Sequence, residues 1–139
     1  MVRRKKLIWS LCAAGFMGLV FQGGVVVGET AAPEKPRGVS VGETSSLELA
    51  PELESLEGRQ LRVRVITFEP GGAVPLHSHN GRLGIATVLK GTLTEHVDGK
   101  GVFQRREGDR LIEDRNTVHW AENRTNDNVI VLATDLYKP

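Results

Sequence analysis

Cysteine and an excess of charge of one sign are both lacking in this 139-residue chain. The one cysteine, Cys12, lies in an apolar segment near the N-terminus, so the rest of the chain has neither a disulfide nor thiol chemistry. The 18 Lys and Arg residues are balanced by 17 Asp and Glu residues. A chain this close to neutral has no extended positive field, and nucleic acid is therefore not an expected partner.

Apolar residues at helical spacing are lacking after residue 60. Residues 61–69, LRVRVITFE, instead alternate apolar with polar side chains, as a half-buried strand does. Further short apolar runs follow, separated by Gly, Asp and Asn. With 40% hydrophobic residues the length suits one compact domain. The pattern predicts an all-β sandwich or barrel.

The N-terminus carries four basic residues, Arg3 to Lys6, followed by an apolar run over residues 7–27. This arrangement is typical of a secretory signal peptide, and the small residues around Gly28 predict residues 1–28 as the part removed. The alternative is an uncleaved membrane anchor, since the run approaches the about 20 residues that span a bilayer. Either way we expect a periplasmic or secreted domain that meets the membrane only through residues 7–27.

Residues 29–46 are rich in Gly, Pro, Ser, Thr and charged residues. Such a composition buries little apolar surface, which favours a disordered linker. The folded domain is then predicted to cover residues 47–139.

Histidines and glycines recur at fixed spacing in the first half of this domain. Five residues separate Gly71 from His77, and one residue separates His77 from His79. Four residues then lead to Gly84, and six more lead to Gly91. Residues two apart on an extended chain face the same side, so the two imidazoles share one face.

A second spaced group follows about 16 residues after the first. Gly108 is followed after five residues by Asp114 and Asn116, then after two by His119, and after three by Asn123. His119 lies in a separate predicted strand, from which it can approach the first two histidines across a barrel. Imidazole nitrogen is the commonest side-chain ligand of Zn, Cu, Fe and Ni.

The two groups, in this order, resemble the two motifs of the cupin family, over about residues 47–137. Two departures stand out. Gly84 lies where the first motif has a glutamate, and Asp114 and Asn116 replace the usual proline and glycine of the second motif. The resemblance implies a double-sheeted, jelly-roll-like β-barrel that is often a homodimer.

The resemblance also implies a divalent transition metal, such as Fe, Mn, Ni or Zn, in the barrel mouth. Carried over residue by residue, it assigns His77, His79 and His119 as ligands, whereas the glutamate ligand has no counterpart at Gly84. A metal-free barrel is the alternative.

Glu95 is the candidate for the carboxylate that Gly84 lacks. If Lys90-Gly91 is a two-residue hairpin loop, Ala86 faces Glu95, and the period of two directs Glu95 into the barrel and His96 to the opposite face. Glu95 is then a candidate catalytic base that reaches the metal or a metal-bound water. The alternatives are a pairing with an arginine inside the barrel, or an outward orientation caused by a bulge.

Two functions are compatible with these residues. The first is a metal-dependent enzyme acting on a small organic molecule, because the three-histidine set resembles that of thiol and diketone dioxygenase cupins. The second is a non-catalytic module that binds a small anionic ligand at the metal, with Arg82 or Arg64 as the counter-charge. Either arginine could instead be a solvated surface charge.

Overall fold

The computed structural model describes residues 31–139, and almost all of its regular structure is β-strand. The predicted signal peptide or anchor lies outside the described residues. Eight strands follow one another: β1 Arg37–Glu48, β2 Gln60–Ser78, β3 Gly84–Lys90, β4 Thr92–Val97, β5 Gly101–Arg106, β6 Arg110–Glu113, β7 Val118–Glu122 and β8 Val129–Tyr137. A single 3-10 turn, Glu54–Leu56, lies between β1 and β2. The predicted all-β class is confirmed. No helix within residues 31–139 is long and apolar enough to cross a membrane.

The strands form a nearly closed antiparallel barrel in the order β5-β4-β7-β2-β8-β3-β6, with β1 added beside β2. β2 connects the two halves, because its first part pairs with β8 and its last part with β7. Between these parts the strand passes Gly72, where a Cβ would lie 2.4 Å from the backbone oxygen of Gly38. Only glycine allows β1 and β2 to approach this closely.

The barrel is also closed by backbone hydrogen bonds beside β3. The N–H of Val88 donates to the oxygen of Asp109 at 3.0 Å, and the N–H of Gly108 donates to the oxygen of Val88 at 2.9 Å. These bonds join β3 to the turn between β5 and β6. The inner faces meet in an apolar core formed by Phe68, Ala86, Val88, Leu93, Leu111, Ala121, Val129, Val131 and Ala133.

β1 occupies most of the segment for which the composition predicts a linker. Residues 37–46 are therefore wrongly predicted as disordered, and within the described part only residues 31–36 precede the first strand. The prediction failed because it rested on side-chain burial. Most side chains of β1 are exposed, and the strand is held by its antiparallel ladder to β2, which depends on backbone groups.

The predicted hairpin between β3 and β4 is also wrong. β3 pairs with β6 and β8, whereas β4 pairs with β5 and β7, so the chain passes from one half of the barrel to the other at Gly91. Gly91 has a φ of 84° and packs against Val129. Glu95 consequently lies opposite Ala121 and Phe103, not opposite Ala86.

Candidate metal centre

The three predicted ligands come together where β2 meets β7. His77 and His119 are direct cross-strand partners, so their side chains project from the same face of the sheet. His79 follows the end of β2, and its N–H donates to the backbone oxygen of Thr117 at 2.9 Å, which keeps it beside β7. The Nε2 atom of His79 lies 3.2 Å from that of His77 and 3.0 Å from that of His119. The predicted convergence of the three rings is confirmed.

Each ring is fixed from behind through its Nδ1 atom. His77 donates to the backbone oxygen of Pro75 at 2.9 Å, and His79 donates to the backbone oxygen of Arg82 at 3.1 Å. His119 donates to the Oε1 atom of Glu95 at 2.8 Å. A carbonyl or an ionised carboxylate only accepts, so each Nδ1 carries the hydrogen and donates it. A neutral ring with hydrogen on Nδ1 has a free lone pair on Nε2. Three such lone pairs therefore converge on one point.

Burial keeps two of these rings neutral. It lowers the pKa of His79 to about 4, and it also lowers the pKa of His77. Neutral imidazole is the form that binds metals. Two nitrogens that are each about 2.1 Å from one metal, at about a right angle, lie about 3 Å apart. This matches the Nε2 separations of His79 from His77 and from His119, and the three ligand atoms all lie within 4.8 Å of one another. The residues present therefore fit a divalent transition metal.

Glu95 lies inside the barrel, as predicted, but behind His119. Its side chain is almost fully buried, with Oε1 accepting from His119 Nδ1 and Oε2 accepting from Arg105 Nε at 2.7 Å. Burial alone would raise the pKa of Glu95, but the hydrogen bonds from His119 and Arg105 hold it below its usual value. Both carboxylate oxygens thus face away from the point where the Nε2 atoms meet. This arrangement corresponds to the alternative in which Glu95 pairs with an arginine inside the barrel.

Glu113 is the residue at the site that the motif spacing missed. It lies on β6 directly opposite Gly84, and its carboxylate oxygens are 3.5 Å from His79 Nδ1 and 3.9 Å from His119 Nε2. Burial raises the pKa of this carboxyl group. The period of two offered a signal, since Glu113 shares a strand face with the core residue Leu111. Motif spacing could not show that β6 pairs with β3, and this pairing is what brings Glu113 to the histidines.

The fourth histidine, His96, lies on the outer face of the barrel. Its ring stacks on Trp120, with centroids 3.7 Å apart and planes 10° apart, and its Nε2 lies 3.0 Å from Glu122 Oε1. The alternation along β4 therefore separates His96 from the metal site. Its predicted exclusion from the ligand set agrees with this placement.

A cavity of about 460 Å³ extends from the three histidines into the apolar core. Arg64 and Arg82 also line it, and the Nε atom of each is buried without a hydrogen-bond partner. Arg64 Nη2 donates to Asp135 Oδ2 at 2.9 Å, and the Arg64 side chain is only 19% exposed. The surface-charge alternative is therefore wrong for Arg64.

Residues 64–135 match the family model described as Cupin domain, and the chain belongs to this family. The match includes all three histidines as well as Glu95 and Glu113. No curated protein matches the chain.

Solved structures share the fold. A predicted oxalate decarboxylase from Thermotoga maritima is 24% identical, with a TM-score of 0.54, over 77% of this chain and 98% of that one. A sugar phosphate isomerase of the cupin superfamily from Silicibacter pomeroyi is 21% identical, with a TM-score of 0.53, over 73% of each chain. An oxalate oxidase in complex with glycolate is 22% identical, with a TM-score of 0.54, over 79% of this chain and 57% of that one. At these identities the likeness concerns the fold.

Proposed function

We propose that this chain is a metal-dependent enzyme of dioxygenase type that acts on a small organic molecule. The observation that carries the proposal is the convergence of three Nε2 lone pairs on the wall of a cavity large enough for such a molecule. Three protein ligands leave further coordination positions open, as catalytic metal sites require. When bound, iron would supply redox chemistry with oxygen, and another divalent metal would supply Lewis-acid activation.

The residues of the chain prepare the site for this chemistry. The three histidines hold the metal at the cavity wall, and the apolar residues around it exclude water from a bound substrate. Glu95 fixes the ring plane of His119 and, as an anion on Nδ1, increases the basicity of Nε2. In this proposal Glu95 is a positioning residue, in contrast to the sequence-based expectation of a catalytic base.

A non-catalytic binder of small anions is the second candidate. It is favoured by Arg64 and Arg82, whose unpartnered Nε atoms lie at the cavity wall. Asp135 is the carboxylate nearest to both, and it also accepts two hydrogen bonds from Arg62. Three guanidinium groups around one carboxylate leave positive charge that a carboxylate ligand would balance.

Oxygen uptake distinguishes the two candidates. Purified protein loaded with iron is supplied with a panel of small neutral and carboxylate compounds, and oxygen consumption and compound binding are measured together. The enzyme predicts oxygen uptake with at least one compound and its loss in His119→Ala. Tight binding of a carboxylate without uptake, weakened at least about tenfold by Arg64→Gln, supports the anion binder. Failure to retain any of Fe, Mn, Ni or Zn would overturn the metal-dependent function.

We also propose that the domain is exported, to the periplasm or beyond. The support is the order of basic residues, apolar run and small residues over residues 1–28. Fractionation of cells that produce the full chain tests this proposal. Export predicts a periplasmic or membrane-bound product, whose N-terminus lies near Glu29 if the segment is cleaved. A full-length product in the cytoplasm would contradict it.

A homodimer is the proposed assembly, and an apolar stripe on the outer face of the barrel supports it. Cross-strand pairs place Leu47 beside Leu61 and Ile85 beside Ile112, and these four side chains are exposed. Leu136 pairs with Leu61 on the same face and connects the two pairs. Mass measurement in solution should give a dimer for the wild type and a monomer for Ile112→Arg, whereas a monomeric wild type would contradict the assembly.

A further inference from the structure

We infer that Glu113 supplies the carboxylate ligand that is missing at Gly84. The inference rests on the proposed metal site and adds a fourth protein ligand, drawn from a neighbouring strand, to the three histidines. The two positions are linked directly, because Gly84 on β3 and Glu113 on β6 are cross-strand partners.

The Glu113 carboxylate occupies the space that a side chain at position 84 would enter. A Cβ atom built on Gly84 would lie 2.8 Å from Glu113 Oε2, closer than two such atoms approach without displacement. Cross-strand partners project from the same face of a sheet, so either position can direct a carboxylate to the same volume. The Glu113 carboxylate therefore lies in part of the space left by the missing side chain at Gly84, which is also bounded by the backbone oxygen of Thr134 at 3.0 Å and Asp135 Cβ at 3.2 Å.

Glu113, which is partly buried, differs in its hydrogen bonding from the buried carboxylates Glu95, Glu122 and Asp135. Glu95 and Glu122 each pair with a histidine and an arginine, and Asp135 pairs with Arg62 and Arg64. No hydrogen bond within residues 31–139 reaches the carboxylate of Glu113, although its side chain is only 11% exposed. An ionised carboxylate in this position without donors is unfavourable unless it meets a cation or takes up a proton.

The distances favour a cation at the histidines. Glu113 Oε1 is 3.9 Å from His119 Nε2, about 1 Å more than the about 3 Å that separates adjacent ligands of one metal. Rotation of the Glu113 side chain is the movement that would have to cover this difference. Three imidazoles and one carboxylate would then hold the metal, and a metal that accepts more than four ligands would keep positions open for substrate.

The test compares Glu113→Gln with Glu95→Gln and with Glu107→Gln, a variant of an exposed glutamate in the turn before β6. Zn²⁺ affinity is measured by competition with a chelator, and the carboxylate bands are followed by infrared difference spectroscopy as Zn²⁺ is added. Coordination by Glu113 predicts a metal-dependent band shift in the wild type, Glu95→Gln and Glu107→Gln that is lost in Glu113→Gln. The affinity of Glu113→Gln should fall by at least about tenfold.

A second variant leaves Glu113 itself intact. Gly84→Ala crowds the present position of the Glu113 carboxylate and should change the same band shift; because the new Cβ would also lie 3.0 Å from the backbone oxygen of Thr134, thermal unfolding checks that the variant is folded. An unchanged band shift and affinity in Glu113→Gln, with Zn²⁺ bound to the wild type, would overturn the inference and leave the three-histidine site standing. A wild type that binds no Zn²⁺, Fe²⁺, Mn²⁺ or Ni²⁺ would instead overturn the proposed function.

Discussion

His119 and Glu95 form a buried pair in which the ring Nδ1–H donates to the carboxylate at 2.8 Å. The bond fixes the tautomer of His119, so that its Nε2 lone pair points at His79. Arg105 holds the second carboxylate oxygen at 2.7 Å, so both atoms of the carboxylate are constrained. The ring orientation on which the metal site depends is therefore set by residues outside the three-histidine group.

Glu95→Gln tests the importance of this pair. Glutamine retains an oxygen acceptor for His119 but loses the negative charge, so the ring should keep its place while Nε2 becomes less basic. The variant should remain folded and hold metal at saturating concentration, with an affinity reduced by about 10- to 100-fold. Chelator competition measures the change. An affinity equal to that of the wild type would show that the charge of Glu95 has no effect on the metal.

Gly91→Ala tests the passage of the chain between the two halves of the barrel. A Cβ at this position meets Val129 Cγ2 at 3.1 Å, and the φ of 84° strains any other residue. Gly99 has a similar φ, 67°, but faces open space, so Gly99→Ala is the matched control. The strain of holding an alanine at a positive φ should lower the free energy of unfolding by about 1–2 kcal/mol in both variants.

The contact with Val129 should make Gly91→Ala the less stable of the two. Chemical denaturation measures the difference. Equal free energies of unfolding for Gly91→Ala and Gly99→Ala would contradict the close packing of Gly91 against β8.

The metal-free protein should lose stability on mild acidification. Burial lowers the pKa of His79 from 6.5 to about 4, so the unfolded chain takes up a proton at a higher pH than the folded protein does. The neutral His79 ring makes its full contribution to the free energy of unfolding above pH 6.5, and this contribution is lost progressively as the pH falls toward 4. Thermal unfolding of chelator-treated protein between these values should show the decline, and His79→Gln should reduce its slope. If His79→Gln loses stability with pH as steeply as the wild type, the decline does not come from His79.

The sequence predicted the parts of the site that depend on local spacing. His77 and His79 share a face because they are two residues apart, and the same alternation directed Glu95 inward and His96 outward. These orientations required no knowledge of which strands pair. The cupin resemblance then placed His119 with the other two histidines.

The parts that failed depend on long-range pairing. The register of β4 was inferred from a hairpin to β3, but a two-residue turn and a crossing between sheets look alike around Lys90-Gly91. Glu113 was missed because its proximity to the histidines follows from the pairing of β6 with β3, which no local pattern encodes. β1 was missed because a strand held by backbone bonds at an exposed position needs few apolar residues.

Metal content after reconstitution shows directly whether His77, His79 and His119 form a metal centre. His77→Ala, His79→Ala, His119→Ala and His96→Ala are loaded with the same divalent metal, dialysed and analysed for bound metal per chain. The first three variants each remove one converging Nε2 atom and should lose most of the metal, whereas His96→Ala, which removes a ring from the outer face, should retain the wild-type content. Equal metal content in all four variants would contradict a metal centre built on His77, His79 and His119.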